Sequence, residues 1–154
     1  MQTRTAIAAI ALAAMAWHHA AAQEDGDLYT VMSDLPYEDV ALALSDAIVN
    51  RGYVVDHEGD VAGMLARTAE EVGADDTIYT DAQFFQFCSA VVSRDMMSAD
   101  PANIAYCPYI VFVYAPADES ETVTVGYRKL PGGGGRDEAN DMLTEIVDEA
   151  AEGF

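Results

Sequence analysis

Apolar residues recur with helical spacing in four stretches of the chain. Over 36–51, Tyr37, Val40, Ala41, Leu44, Ala47 and Ile48 share one face. Asp34 is placed to cap this helix, the early Pro36 suits its first turn, and Gly52 suits its end. A second helix is expected over 61–72, with Met64, Leu65 and Ala69 inward and Gly73 as the stop. A short third helix over 89–99 puts Val92 and Met96 on one face and halts at Asp100-Pro101. The last, over 137–151, aligns Ala139, Met142, Leu143, Ile146, Val147 and Ala150. Between these lie strand patterns at 28–32, 53–56, 77–88 and 107–115, and an alternating run at 122–129 with Val123, Val125 and Tyr127 on one side. The run 107–115 is apolar enough to be a central strand, and the polar link 116–121 makes it a hairpin with 122–129. Pro131 and the glycines 132–135 read as a flexible joint. The order β-α-β-α-β-α-β-β-α implies a single α+β domain, with helices packed on a mostly antiparallel, curved sheet.

The amino terminus follows a different logic. Arg4 is followed by an alanine-rich apolar run to Trp17 without an acid, and Ala20-Ala21-Ala22 supplies small residues for a peptidase. This is the pattern of a secretory signal over 1–22, cleaved before Gln23. The run is shorter than the roughly 18–20 residues of a membrane span, so no membrane anchor is expected. Residues 23–27 read as a disordered polar tail and 28–154 as the folded domain. The expected location is therefore the periplasm or the exterior.

Cleavage changes the charge and the available chemistry. The whole chain has 7 Lys+Arg against 27 Asp+Glu, for a net charge of −20. The signal takes Arg4 with it, so the remaining 132 residues carry a formal charge of −21. Such a surface repels nucleic acid and anionic lipid. Trp17, His18 and His19 also leave, so His57 is the lone histidine of the mature part. A His-rich metal site is thereby excluded, and no nucleophile-elbow pattern accompanies His57. In the segment DHEGD, acidic neighbours make His57 a candidate pH sensor, against the plainer reading of a solvated turn. The run GGGGRD lacks the Lys-Ser/Thr ending of a phosphate loop.

The runs DLPYEDVALALSDAIVNRGYVV, FFQFCSAVVSRDMMSADPANIAYCPYIVFVY and VTVGYRKL resemble the domain-of-unknown-function 302 family. The shared pattern is a helix ending in Arg-Gly before a strand, then Phe-Cys, a short helix ending at Asp-Pro, and a Cys-Pro step into an apolar strand. Many relatives place the second cysteine after the proline, whereas here Cys107 precedes Pro108. The resemblance implies a compact α+β domain, often a homodimer, and no established activity.

Cys88 ends one expected strand and Cys107 begins another. In an oxidising compartment such a pair most often forms a disulfide, worth about 3 kcal/mol for a loop of this length. The alternatives are two unpaired thiols packed as small hydrophobes, or a redox or sulfur-carrying pair whose reactive member is Cys88, just before a helix N-terminus. A further alternative is Cu(I) held by Cys88 and Cys107 with Met96 or Met97, against the reading of these methionines as core filling. No resident cofactor is expected. The first expectation for function is a non-catalytic binding or accessory domain with an unidentified protein or small-ligand partner; the alternative is a thiol carrier or copper-handling protein.

Overall fold

A computed structural model of the protein describes residues 22–119 and 122–153. The signal assigned to 1–22 therefore lies almost entirely outside the described residues. The elements run β1 (Ala22–Asp25), β2 (Leu28–Ser33), α1 (Tyr37–Asn50), β3 (Val55–Asp60), α2 (Val61–Val72), β4 (Tyr79–Phe87), α3 (Ala90–Ala99), a 3-10 helix (Pro101–Tyr106), β5 (Tyr109–Pro116), β6 (Val123–Arg128) and α4 (Asp137–Glu152). One six-stranded sheet has the order β1-β2-β6-β5-β4-β3, with every neighbouring pair antiparallel. The α+β expectation and the interior position of β5 both hold.

Strand pleating divides the sheet into two unlike faces. In register, Val31, Val125 and Val113 form one inner row, and Tyr29, Tyr127, Val111 and Phe85 another. These residues pack under α1 and α4 in one continuous core with Leu44, Ile48, Leu143 and Ile146. All six residues named for the apolar face of the last helix are buried, as are Val92 and Met96 of α3. Arg51, at the end of α1, ties the two covering helices together through Glu149 on α4 at 2.7 Å. The inner face also buries polar groups that find partners. Ser33 Oγ donates to the Ala151 carbonyl at 2.8 Å, and Tyr29 Oη donates to Asp148 at 2.7 Å.

Several local expectations are corrected. Residues 23–27 are not a disordered tail: Ala22–Asp25 pair with β2, and Gly26, at φ +57°, opens the two-residue turn. The Gly26-Asp27 pair is the hairpin signal, obscured by the polar composition around it. Asp34 does not cap α1; Pro36 is the N-cap, and its carbonyl accepts from the amides of Asp39 and Val40. Strand β3 runs to Asp60 through the acidic segment read as a turn, with a bulge between Val55 and His57. Charge and a bulge are what an edge strand uses to discourage further pairing. Helix α2 matches its expected bounds and ends on Gly73 at φ +68°. It buries no residue fully, however, and Met64 is 42% exposed. It packs on β4, one strand in from the sheet's edge.

The glycine segment is not a flexible joint. Gly133, Gly134 and Gly135 take φ of +79°, +61° and +79°, a left-handed run that side-chain-bearing residues rarely adopt. Arg136 grips it, its Nε donating to the Pro131 carbonyl at 2.6 Å and its Nη1 to Asn103 Oδ1 at 2.7 Å. Asn103, buried on the 3-10 helix, donates to the carbonyls of Met96 at 2.7 Å and Gly134 at 2.9 Å. Asn140 closes the other side by exchanging two hydrogen bonds with the Leu130 backbone.

Candidate functional site

The thiols come together because β4 and β5 pair up to Phe87 opposite Tyr109. Cys88 then leaves one strand where Cys107 and Pro108 lead into the other. Both cysteines are half-buried and free in the structure. Burial pushes the Cys88 thiol up to about 12, and the hydrogen-bonding and charge of the neighbouring Cys107 thiol add to the shift, with Asp56 contributing less. The Tyr109 backbone acts the other way but does not offset them. The helix N-terminus therefore fails to make Cys88 a ready thiolate. Desolvation and a second thiol outweigh a dipole whose first-turn amide at Val92 is already taken by the Ser89 hydroxyl. Ser93 on α3 completes the cluster, its hydroxyl 3.6 Å from Cys107 Sγ and 3.2 Å from Tyr109 Oη.

The methionines separate. Met96 is wholly buried in the core, whereas Met97 is half-buried on the neighbouring side of α3. His57 is exposed on the edge strand, its ring 5.7 Å from that of Phe84. It is therefore a strand residue at the sheet margin and not part of the thiol cluster. Among the described residues, no group of three or more His, Cys, Asp or Glu is arranged to hold a metal ion. None of the described helices is long and apolar enough to cross a membrane.

A second site was not visible as such in the sequence. The sheet face turned away from α1 and α4 carries Phe84, Phe112, Ile110 and Tyr114, with Val61 at the head of α2 bordering it. Together they line an open, mostly apolar recess of about 490 Å³. Ile110 is 46% exposed and Met32, further along the same face, 45%. The alternation in β4 and β5 did announce that one side of each strand points outward. It did not announce that the outward aromatic residues of two neighbouring strands would fall in one row.

Three comparisons bear on the fold. The family model described as "Domain of unknown function DUF302" matches residues 29–152. No curated protein matches the sequence. Among solved structures, the chain is similar to the crystal structure of the uncharacterized conserved protein DUF302 from Bacillus stearothermophilus. The TM-score is 0.65 at 16% identity, covering 80% of this chain and 98% of that one. At that identity the likeness speaks for the fold. Matched from β2 through α4, the chain belongs to the DUF302 family, a domain of unknown function.

Proposed function

We propose that the protein is an exported, non-catalytic binding or accessory domain whose working surface is the uncovered face of the sheet. The observation that carries this reading is the apolar recess over Phe84, Phe112 and Ile110, left open in a chain with a net charge of −20. An exposed apolar patch on a highly charged soluble domain marks a surface that meets something else. The export component rests on the amino-terminal pattern of Arg4, apolar run and small residues.

Two measurements test it. Intact mass of protein recovered from the exporting cell is expected to show the chain beginning at Gln23; recovery with Met1 attached removes the export component. An environment-sensitive apolar dye, added to dilute protein, is expected to bind with a fluorescence gain that Phe112→Glu abolishes. Absence of dye binding to the wild-type protein would sink the binding component.

A second reading is supported by the adjacency of Cys88 and Cys107 beside Ser93. In it the pair exchanges with a disulfide substrate. Each thiol gives up its hydrogen, one Cys88–Cys107 bond forms, and the substrate disulfide is reduced to two thiols. Rapid labelling of native protein at neutral pH, with a reduction potential near those of catalytic oxidoreductases, favours this reading. A bridge that resists mild reductant assigns the pair to stability instead. For the copper variant, anaerobic Cu(I) uptake is expected to vanish in Cys88→Ser.

A further inference from the structure

Aromatic residues directly opposed on neighbouring strands ordinarily pack against each other. Phe84 and Phe112 are such a pair on β4 and β5, yet their rings make no contact. Each leans away from the other, across the strand on its far side. The partner of Phe84 on β3 is Gly59, and a Cβ added there would run into the Phe84 ring. The partner of Phe112 on β6 is Gly126, and a Cβ there would fall 3.0 Å from the Phe112 ring. The ring contacts agree: Phe84 lies 5.7 Å from His57 of β3, and Phe112 stacks at 6.1 Å on Tyr114 of its own strand. Glycine on both flanks thus lets the pair splay, and the gap this opens is the floor of the recess.

The remaining walls set the shape and chemistry of what fits. At one end Tyr114 meets Tyr79 edge-on at 5.4 Å. At the other, Gln86 stands opposite Ile110, and its side-chain amide makes no hydrogen bond to another described residue. None of the residues lining the recess is acidic or basic, although the chain has a net charge of −20. The surrounding field repels an anion, and a cation leaving water would find no counter-charge in these walls. At about 490 Å³ the recess lies within the roughly 300–1,000 Å³ of small-molecule sites.

Resting on the binding reading above, we infer that the recess takes a small, planar, uncharged aromatic compound. Its ring lodges between the splayed rings of Phe84 and Phe112, where offset and edge-on packing are both open to it. Its hydrogen-bonding group lies at the Gln86 end. The recess is open on one side and encloses only part of such a molecule, so a two-ring compound is expected to bind with a Kd of about 0.1–1 mM.

NMR titration of the ¹⁵N-labelled protein tests this with four naphthalene-sized probes. They are neutral 2-naphthol, anionic 2-naphthoate, cationic 2-naphthylmethylammonium and the saturated, non-planar decahydro-2-naphthol. The 2-naphthol is expected to shift the backbone amides of 84–86 and 110–114 and to bind at least ~5-fold more tightly than the other three. Gly59→Ala is expected to keep the fold by circular dichroism, turn the Phe84 ring back toward Phe112, and weaken 2-naphthol at least ~5-fold. Phe84→Leu keeps an apolar side chain but removes the flat ring, and the same loss is expected. Equal or tighter binding of the carboxylate, the ammonium or the saturated probe overturns the inference. So do shifts centred elsewhere, or binding indifferent to both variants. If the apolar dye binds and 2-naphthol does not, this inference falls while the binding reading stands; if neither binds, both fall.

Discussion

Replacing Asn103 by alanine tests whether the glycine segment is a built part of the fold. The side chain is 1% exposed and makes three hydrogen bonds: to the Met96 carbonyl at 2.7 Å, to the Gly134 carbonyl at 2.9 Å, and from the Arg136 guanidinium at 2.7 Å. Neutral bonds of this kind contribute about 1 kcal/mol each and a bond to a charged group about 1.5–3 kcal/mol. Two effects reduce the total. Met96 O keeps a second donor in the Asp100 amide, and Arg136 sits in partial contact with solvent, which re-solvates it. The expected loss is therefore about 2–3 kcal/mol, or roughly 8–12 °C in Tm for a domain of this size. Urea unfolding followed by far-UV circular dichroism measures it, with the slope unchanged if the native state stays compact. Asn103→Asp keeps the shape and removes both donors, so it is expected to lose stability similarly. A coupling of at least ~1 kcal/mol with Arg136→Ala is expected from a double-mutant cycle. A loss below ~0.5 kcal/mol in Asn103→Ala would mean that the loop holds itself and the clamp described above is wrong.

Three further outcomes follow from the packing and the thiols. Gly126→Ala places a methyl 2.4 Å from the Tyr29 carbonyl oxygen. It is expected to cost above ~3 kcal/mol in urea unfolding, because backbone must move, whereas the nearest atoms to a Cβ at Gly59 belong to the Phe84 side chain, which can turn aside, so Gly59→Ala is expected to cost clearly less; the reverse order would refute the face geometry. Ser33→Ala leaves the Ala151 carbonyl and the Leu35 amide without their shared partner and is expected to lose about 1–2 kcal/mol by the same assay. For Cys88, peptide-mapped alkylation at pH 7.5 is expected to run more than ~100-fold slower than a free cysteine and to climb about tenfold per pH unit. The folded pKa lies above the unfolded one, so this thiol's stabilisation is present below the ordinary thiol pKa and is lost as pH rises toward about 12; fast labelling at neutral pH would contradict the assignment.

Periodicity alone determined the four helices and the β5–β6 hairpin. Each has a continuous apolar face of the right period, and burying that face has one solution. In α4 all six apolar residues on the expected face are buried. The motif spacing around Cys88 and Cys107 was likewise enough to indicate the family. What the sequence left open depends on partners distant in the chain. Acidic β3 is a strand because β4 supplies its hydrogen bonds. Four consecutive glycines are ordered because Asn103, some 30 residues earlier, and Arg136 hold their carbonyls. Met64 is exposed because α2 packs on β4 alone, and one strand cannot enclose the whole apolar side of a helix. The thiol environment and the uncovered aromatic row were decided the same way. Local pattern determines which side of an element is apolar, whereas only the assembled sheet decides which apolar sides find cover and which remain facing water.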